Sequence, residues 1–158
     1  MQFIFNDGGR SMAGFKGVTG DCVTRAVAIA SGKPYQEVYD AINDMSQAER
    51  VGKRCRGKSN SRTGVYRKTY EKYIESIGGV WTPTMQIGQG CKVHLRSGEL
   101  PMGRLVVKVS KHLVAVIDGV INDTHDPQRH GIIIENGITR PMGRCVYGYY
   151  TFGQPQTI

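Results

Sequence analysis

The 158-residue chain has little of what would mark many common protein classes. No apolar run approaches the roughly 20 residues that a membrane-spanning helix needs. Met1 to Asn6 lacks the basic start and long apolar core of a secretory signal. No membrane association is expected, and the chain reads as a cytoplasmic protein. Cysteine is sparse and unpaired in pattern: positions 22, 55, 91 and 145 contain no CxxC and no tight even spacing. That argues against a zinc ribbon or a disulfide framework and predicts four separate thiols. The glycine-rich loops that cradle phosphates or dinucleotides are missing, as is HExxH, so no cofactor and no resident metal are expected.

Acidic residues are scarce in one place. The net charge of +8 is carried by a single segment, Arg50 to Lys72, which holds nine basic residues and one acid, Glu71, while the remainder is neutral. Residues 47–62 have no apolar periodicity and read as a flexible basic loop. Arg50, Lys53, Arg54, Arg56, Lys58 and Arg62 are its candidate anion-binding side chains, suited to nucleic acid or an acidic protein surface.

The length fits one domain, 1–158, with a real core. Gln2–Phe5 can be an edge strand, followed by turn chemistry at Asn6-Asp7-Gly8-Gly9. Val23, Ala26, Val27 and Ala30 recur at i, i+3, i+4 and i+7, which predicts a buried helix capped by Thr19 or Asp21 and closed by Gly32. Cys22 falls in its first turn, where free backbone amides stabilise a thiolate. A second helix starts near Pro34, with Tyr35, Val38, Tyr39, Ile42 and Met45 on one face. A third opens at Ser61 or Thr63 with Tyr66, Tyr70, Tyr73, Ile74 and Ile77 on one face, ending at Gly78-Gly79. Pro83 makes 81–90 loop or extended chain, 92–95 reads as a short strand and 104–109 as a longer one. Gly131 to Arg140 reads as a hairpin around Asn136-Gly137, and Cys145 to Phe152 as a last strand. Helices first and antiparallel strands after define an α+β class.

Within that sheet, Asp118-Gly119 is a strong type I′ hairpin signal between two β-branched runs. With those two residues as the turn, Ile117 pairs with Val120, Val116 with Ile121, Ala115 with Asn122 and Val114 with Asp123. His112 and Asp123 then become diagonal neighbours on one face, about 7 Å apart at the backbone and within side-chain reach. Asn122 points the other way. A carboxylate on one ring nitrogen fixes the tautomer and frees the other nitrogen to act as a base.

A cysteine heading a buried helix, a histidine opening a strand about ninety residues later and an acid on the next strand together resemble the papain-like cysteine peptidases. The layout is most similar to the bacteriocin-processing type, through Gly20-Asp21-Cys22, Lys111-His112-Leu113-Val114-Ala115-Val116 and Asn122-Asp123-Thr124 with Pro127 behind. The whole chain also resembles small uncharacterised proteins of bacterial viruses and prophages. The likeness implies a papain-like α+β fold of N-terminal helices packed on an antiparallel sheet. It implies Cys22 as nucleophile, His112 as base and Asp123 as the residue that orients the imidazole. The activity implied is thiol-dependent hydrolysis or acyl transfer on a peptide or isopeptide bond, with a protein or peptide as substrate. The family's Gln six residues before the nucleophile is replaced here by Lys16, which leaves the Cys22 amide and, as a candidate second oxyanion donor, Asn6.

Two other classes compete. His112, Asp123, His125, Asp126 and His130 are metal-ligand types without a metal-site spacing, and only His112, Asp123 and His125 can share a face. The stronger rival is a basic nucleic-acid-binding or protein-docking module on a non-catalytic papain-like fold, with an anionic partner held by residues 50–72.

Overall fold

The computed structural model describes residues 1–153, so the last five residues of the expected 1–158 domain lie outside the described residues. The helix α1 (Cys22–Ser31) is alanine-rich, and Val23, Ala26, Val27, Ala28 and Ala30 are all buried. Small side chains let its backbone approach the sheet closely, and each buried valine contributes about 1.5–3 kcal/mol. It stops at Gly32, which takes the left-handed conformation (φ 74°) and donates its N–H to the Ala28 carbonyl. The helix α2 (Tyr35–Ser46) follows, with Pro34 outside its first turn as the cap residue in extended conformation.

The helix α3 (Arg67–Ser76) starts later than the sequence predicts. Ser61 and Gly64 are held elsewhere. The Ser61 amide donates to Asn43 Oδ1 (2.8 Å), its hydroxyl donates to the Tyr39 carbonyl (2.6 Å), and Asn60 and Gly64 form an isolated β-bridge. Tyr66 consequently leaves the buried face and is exposed, while Tyr70, Tyr73 and Ile74 stay in the core. The end of the basic segment is also pinned, because Glu49 accepts hydrogen bonds from the Ser59 amide and hydroxyl and from Thr69. The expected flexible loop is therefore ordered over 59–64.

Six strands form the main sheet in the order β1 (Gln2–Phe5), β5 (Val120–Asp123), β4 (His112–Ile117), β3 (Arg104–Val109), β8 (Gly148–Phe152), β2 (Val80–Pro83). All neighbours are antiparallel except β1, which runs parallel to β5 and gives the sheet a mixed edge. The class is α+β with a mostly antiparallel sheet. Asp118 and Gly119 turn between β4 and β5 with φ of 46° and 78°, as a type I′ hairpin requires. The predicted register holds for Ile117–Val120, Val116–Ile121 and Ala115–Asn122, and the ladder ends there, one pair short of Val114–Asp123.

Pro83 does not prevent a strand. It closes β2 at the sheet's edge, where its missing N–H disrupts no central ladder. Trp81 of β2 lies over Gly148, and a Cβ at that glycine would sit 2.3 Å from the indole, so no other residue fits. The predicted strand at 92–95 reduces to a single bridge between His94 and Cys145, and β8 begins three residues after its expected start. The strands β6 (Ile132–Glu135) and β7 (Ile138–Pro141) make a separate hairpin around Asn136-Gly137.

Alternation along the strands divides the core into two layers. Val106, Leu113, Ala115 and Tyr150 face the three helices, against Val27, Val38, Ile42 and Ile74. Leu105, Val107, Val114, Val116 and Ile121 face the opposite side beneath Leu95 and Val146. No helix among the described residues is long and apolar enough to cross a membrane.

The expectation of four separate thiols is corrected: Cys91 and Cys145 form a disulfide with Cα atoms 5.8 Å apart, and only Cys22 and Cys55 are free. The pairing arises from tertiary contact across 54 residues, where Leu95 donates to the Arg144 carbonyl (2.7 Å) and Val146 to the Val93 carbonyl (2.8 Å). Spacing along the chain carries no trace of it. Iodoacetamide should therefore trap two thiols in the unfolded, unreduced protein and four after reduction. Cys145→Ser should lower unfolding stability in urea by about 2–4 kcal/mol.

Candidate active site

Each of the three residues named from the sequence lies at the end of an element. Cys22 is the first residue of α1, His112 the first of β4 and Asp123 the last of β5. His112 and Asp123 meet beyond the last β4–β5 pair, Ala115–Asn122. His112 Nε2 lies 2.6 Å from Asp123 Oδ2, which leaves Nδ1 as the nitrogen available to Cys22. The His112 side chain and the Leu113 backbone both act on the Cys22 thiol. The group opens into a cleft of about 600 Å³ whose walls include Tyr70, Lys108, Leu113 and His125.

The electrostatics favour a charged pair. Burial opposes ionisation of the Cys22 thiol, yet the hydrogen bonds from His112 and Leu113, with the charges of His112 and Arg25, outweigh it and place the thiol below its ordinary 9.0. At His112 burial again opposes the charge, and the bonds to Asp123 and Cys22 win, pushing the imidazole up to about 9. Burial raises the Asp123 carboxyl, but the His112 bond and charge, the Thr124 amide and Arg25 hold it below the usual carboxylate range. The three shifts together favour a negative sulfur and carboxylate on either side of a positive imidazole. The first-turn amides of α1, among them that of Cys22, have no partner inside the helix and reinforce negative charge at the sulfur.

Behind this pair runs a buried chain of charges that sequence reading missed. Arg25 Nη2 donates to Asp123 Oδ1 (3.1 Å), and its Nη1 bonds Asp21 Oδ1. Asp21 also accepts from Arg10 Nη1 (3.1 Å) and from the Tyr35 hydroxyl (2.7 Å). The Arg25, Asp21 and Asp123 side chains are 5%, 0% and 3% exposed, so desolvation is close to complete and each charge depends on its partners. Asp21 occupies the cap position of α1, but its carboxylate serves the arginines and makes no bond to the helix amides. The available signal was an Asp–Arg pair four residues apart at the start of a mostly apolar helix.

The other candidates lie apart from the sulfur. Asn6, the expected oxyanion donor, spends its amide on Asn122 Oδ1 (3.1 Å) and accepts from the Gly8 amide (2.9 Å). It lines a separate cavity with Ile29 and Arg104, so the structure does not bring it to Cys22. Lys16 also lines a different cavity, with Phe5 and Arg10. Of the basic set, Arg50, Lys53, Arg54, Arg56 and Lys58 are exposed. Arg62 instead bonds the Lys16 carbonyl and sits 5.6 Å over the Phe15 ring.

His125, exposed at the cleft wall, has its ring 5.2 Å from that of His112. Ligand atoms of His112, Asp123 and His125 all lie within 4.8 Å of one another, as the shared-face reading expected. A cation held there would take the same His112 and Asp123 atoms that now bond each other.

No family model, curated protein or solved structure matches the chain.

Two measurements check the site. In an NMR titration His112 should lose its proton near pH 9, and in Asp123→Asn its midpoint should fall towards the ordinary 6.5. Arg25→Met should cost about 3–5 kcal/mol in urea unfolding, because it takes one charged partner from each of two buried carboxylates. Arg25→Lys should rescue little of this, since one ammonium cannot reproduce the guanidinium fork.

Proposed function

We propose that the protein is a thiol-dependent hydrolase or acyl transferase of papain-like type that acts on a peptide or isopeptide bond. The observation that carries the reading is Cys22 and His112 lining one cleft, with His112 bonded to Asp123, the thiol lowered and the imidazole raised. A structural cysteine in a hydrocarbon core would have its thiol raised by burial instead.

In this mechanism the Cys22 thiolate attacks the substrate carbonyl carbon, forming a C–S bond and moving the π electrons onto oxygen. The Cys22 amide at the start of α1 is placed to donate to that oxygen. His112 passes its proton to the leaving nitrogen, the C–N bond breaks and a thioester remains. Water or an amine then attacks, His112 takes the proton, and the thiolate departs. Asp123 keeps the ring aligned and stabilises its charge throughout. Arg25 acts through Asp123 as a positioning residue.

Iodoacetamide should modify Cys22 faster than Cys55 at pH 6–7, where an ordinary thiol is almost wholly protonated. His112→Ala should slow this about tenfold for each pH unit by which the thiol's midpoint rises. Thioester formation needs imidazolium, so turnover should decline as pH rises through about 9. Labelling of Cys22 no faster than Cys55 across that range would refute the proposal.

A further inference from the structure

The cleft beside Cys22 adjoins a second groove of about 600 Å³, and Tyr66 and Arg67 form a wall common to both. The second groove lies between the end of α2, the basic segment and the start of α3. Arg50, Lys68 and Lys72 line it together with apolar Met45, Ala48 and Cys55. Its one carboxylate, Glu49, has its oxygens occupied by Ser59 and Thr69. The first cleft adds Lys108 and Lys111 and has no carboxylate in its lining. Among the described residues, no carboxylate lies within ion-pair distance of Arg50, Lys68, Lys72, Lys108 or Lys111.

The position of this surface is fixed rather than accidental. Thr19 donates to the Arg62 carbonyl (2.7 Å) and Thr24 to the Ser61 carbonyl (2.8 Å), so the end of the basic segment is fastened to the residues on either side of Cys22. Gly20 makes the approach possible, since a Cβ there would sit 2.9 Å from the Thr63 carbonyl oxygen. Burial, and after it the charge of Arg67, holds the Lys108 ammonium below its ordinary range.

We infer that the second groove is the substrate subsite of the thiol centre and takes an acidic peptide segment, with carboxylates against Arg50, Lys68 and Lys72 and an apolar side chain on Met45 and Ala48. This rests on the thiol-enzyme reading. Five unpaired cations along two adjoining clefts call for a polyanion. The apolar lining and the neighbouring nucleophile, which attacks acyl carbon, select a peptide over a nucleic acid.

The test uses the full chain carrying Cys22→Ala and fluorescence anisotropy, so it needs no turnover. The probes are a short labelled peptide of alternating Glu and Leu, the same peptide with Gln for Glu, and a single-stranded DNA of similar charge. The Glu peptide should bind, with salt-dependent affinity, and the Gln peptide about tenfold or more weaker. Lys68→Glu with Lys72→Glu should weaken it as much, and Lys53→Glu with Arg54→Glu, outside both clefts, far less. Absence of peptide binding, equal loss from both pairs of variants, or tighter binding of the DNA would overturn the inference. In the wild type, a chloroacetamide on the Glu peptide should alkylate Cys22 faster than one on the Gln peptide. Equal rates would detach the groove from the thiol, whereas an inert Cys22 with intact peptide binding would count against the thiol chemistry alone.

Discussion

The ion-pair chain Asp21–Arg25–Asp123 is the constraint on which the site depends. Three charges stripped of water would each carry a desolvation cost of several kcal/mol if left alone. Their mutual hydrogen bonds offset that cost only in one arrangement, with the first turn of α1 set against the end of β5. Any other placement of helix on sheet would strand a carboxylate or a guanidinium in the interior. Hydrophobic packing of α1 holds the layers together, and the charges select the registration.

That registration decides the chemistry. Asp123 has two oxygens, and Arg25 and the Thr124 amide take one while His112 takes the other. Since Asp123 is fixed from behind, the imidazole bonded to it is fixed too, in the cleft that Cys22 of α1 also lines. The same guanidinium adds positive charge near the Cys22 thiol and helps to lower it. A single buried arginine therefore serves stability and reactivity together, and selection on either would retain it.

The hairpin was legible because Asp118-Gly119 dictates a turn and a period of two then dictates the register. His112 and Asp123 followed from that arithmetic, and the α1 start from its alanine and valine spacing. Other features depend on contacts that no local pattern encodes. Arg25 looks like a solvated helix residue until the sheet covers it. Pro83 looks like a strand breaker until its edge position is known. The start of α3 was misplaced because Asn43 and Tyr39 capture Ser61 before the helix can. Cys91 and Cys145 are united by a backbone bridge between distant segments, and Asn6 was drawn away from the sulfur by Asn122.

The cystine between Cys91 and Cys145 gives the molecule a divided sulfur chemistry. A surrounding medium reducing enough to spare Cys22 from sulfenic or sulfinic acid also tends to open a partly exposed S–S bond. Conditions oxidising enough to keep that bond closed endanger the free thiol. Redox potential therefore acts on the two sulfur sites in opposite senses, opening the Cys91–Cys145 link at one limit and oxidising the free thiol of Cys22 at the other.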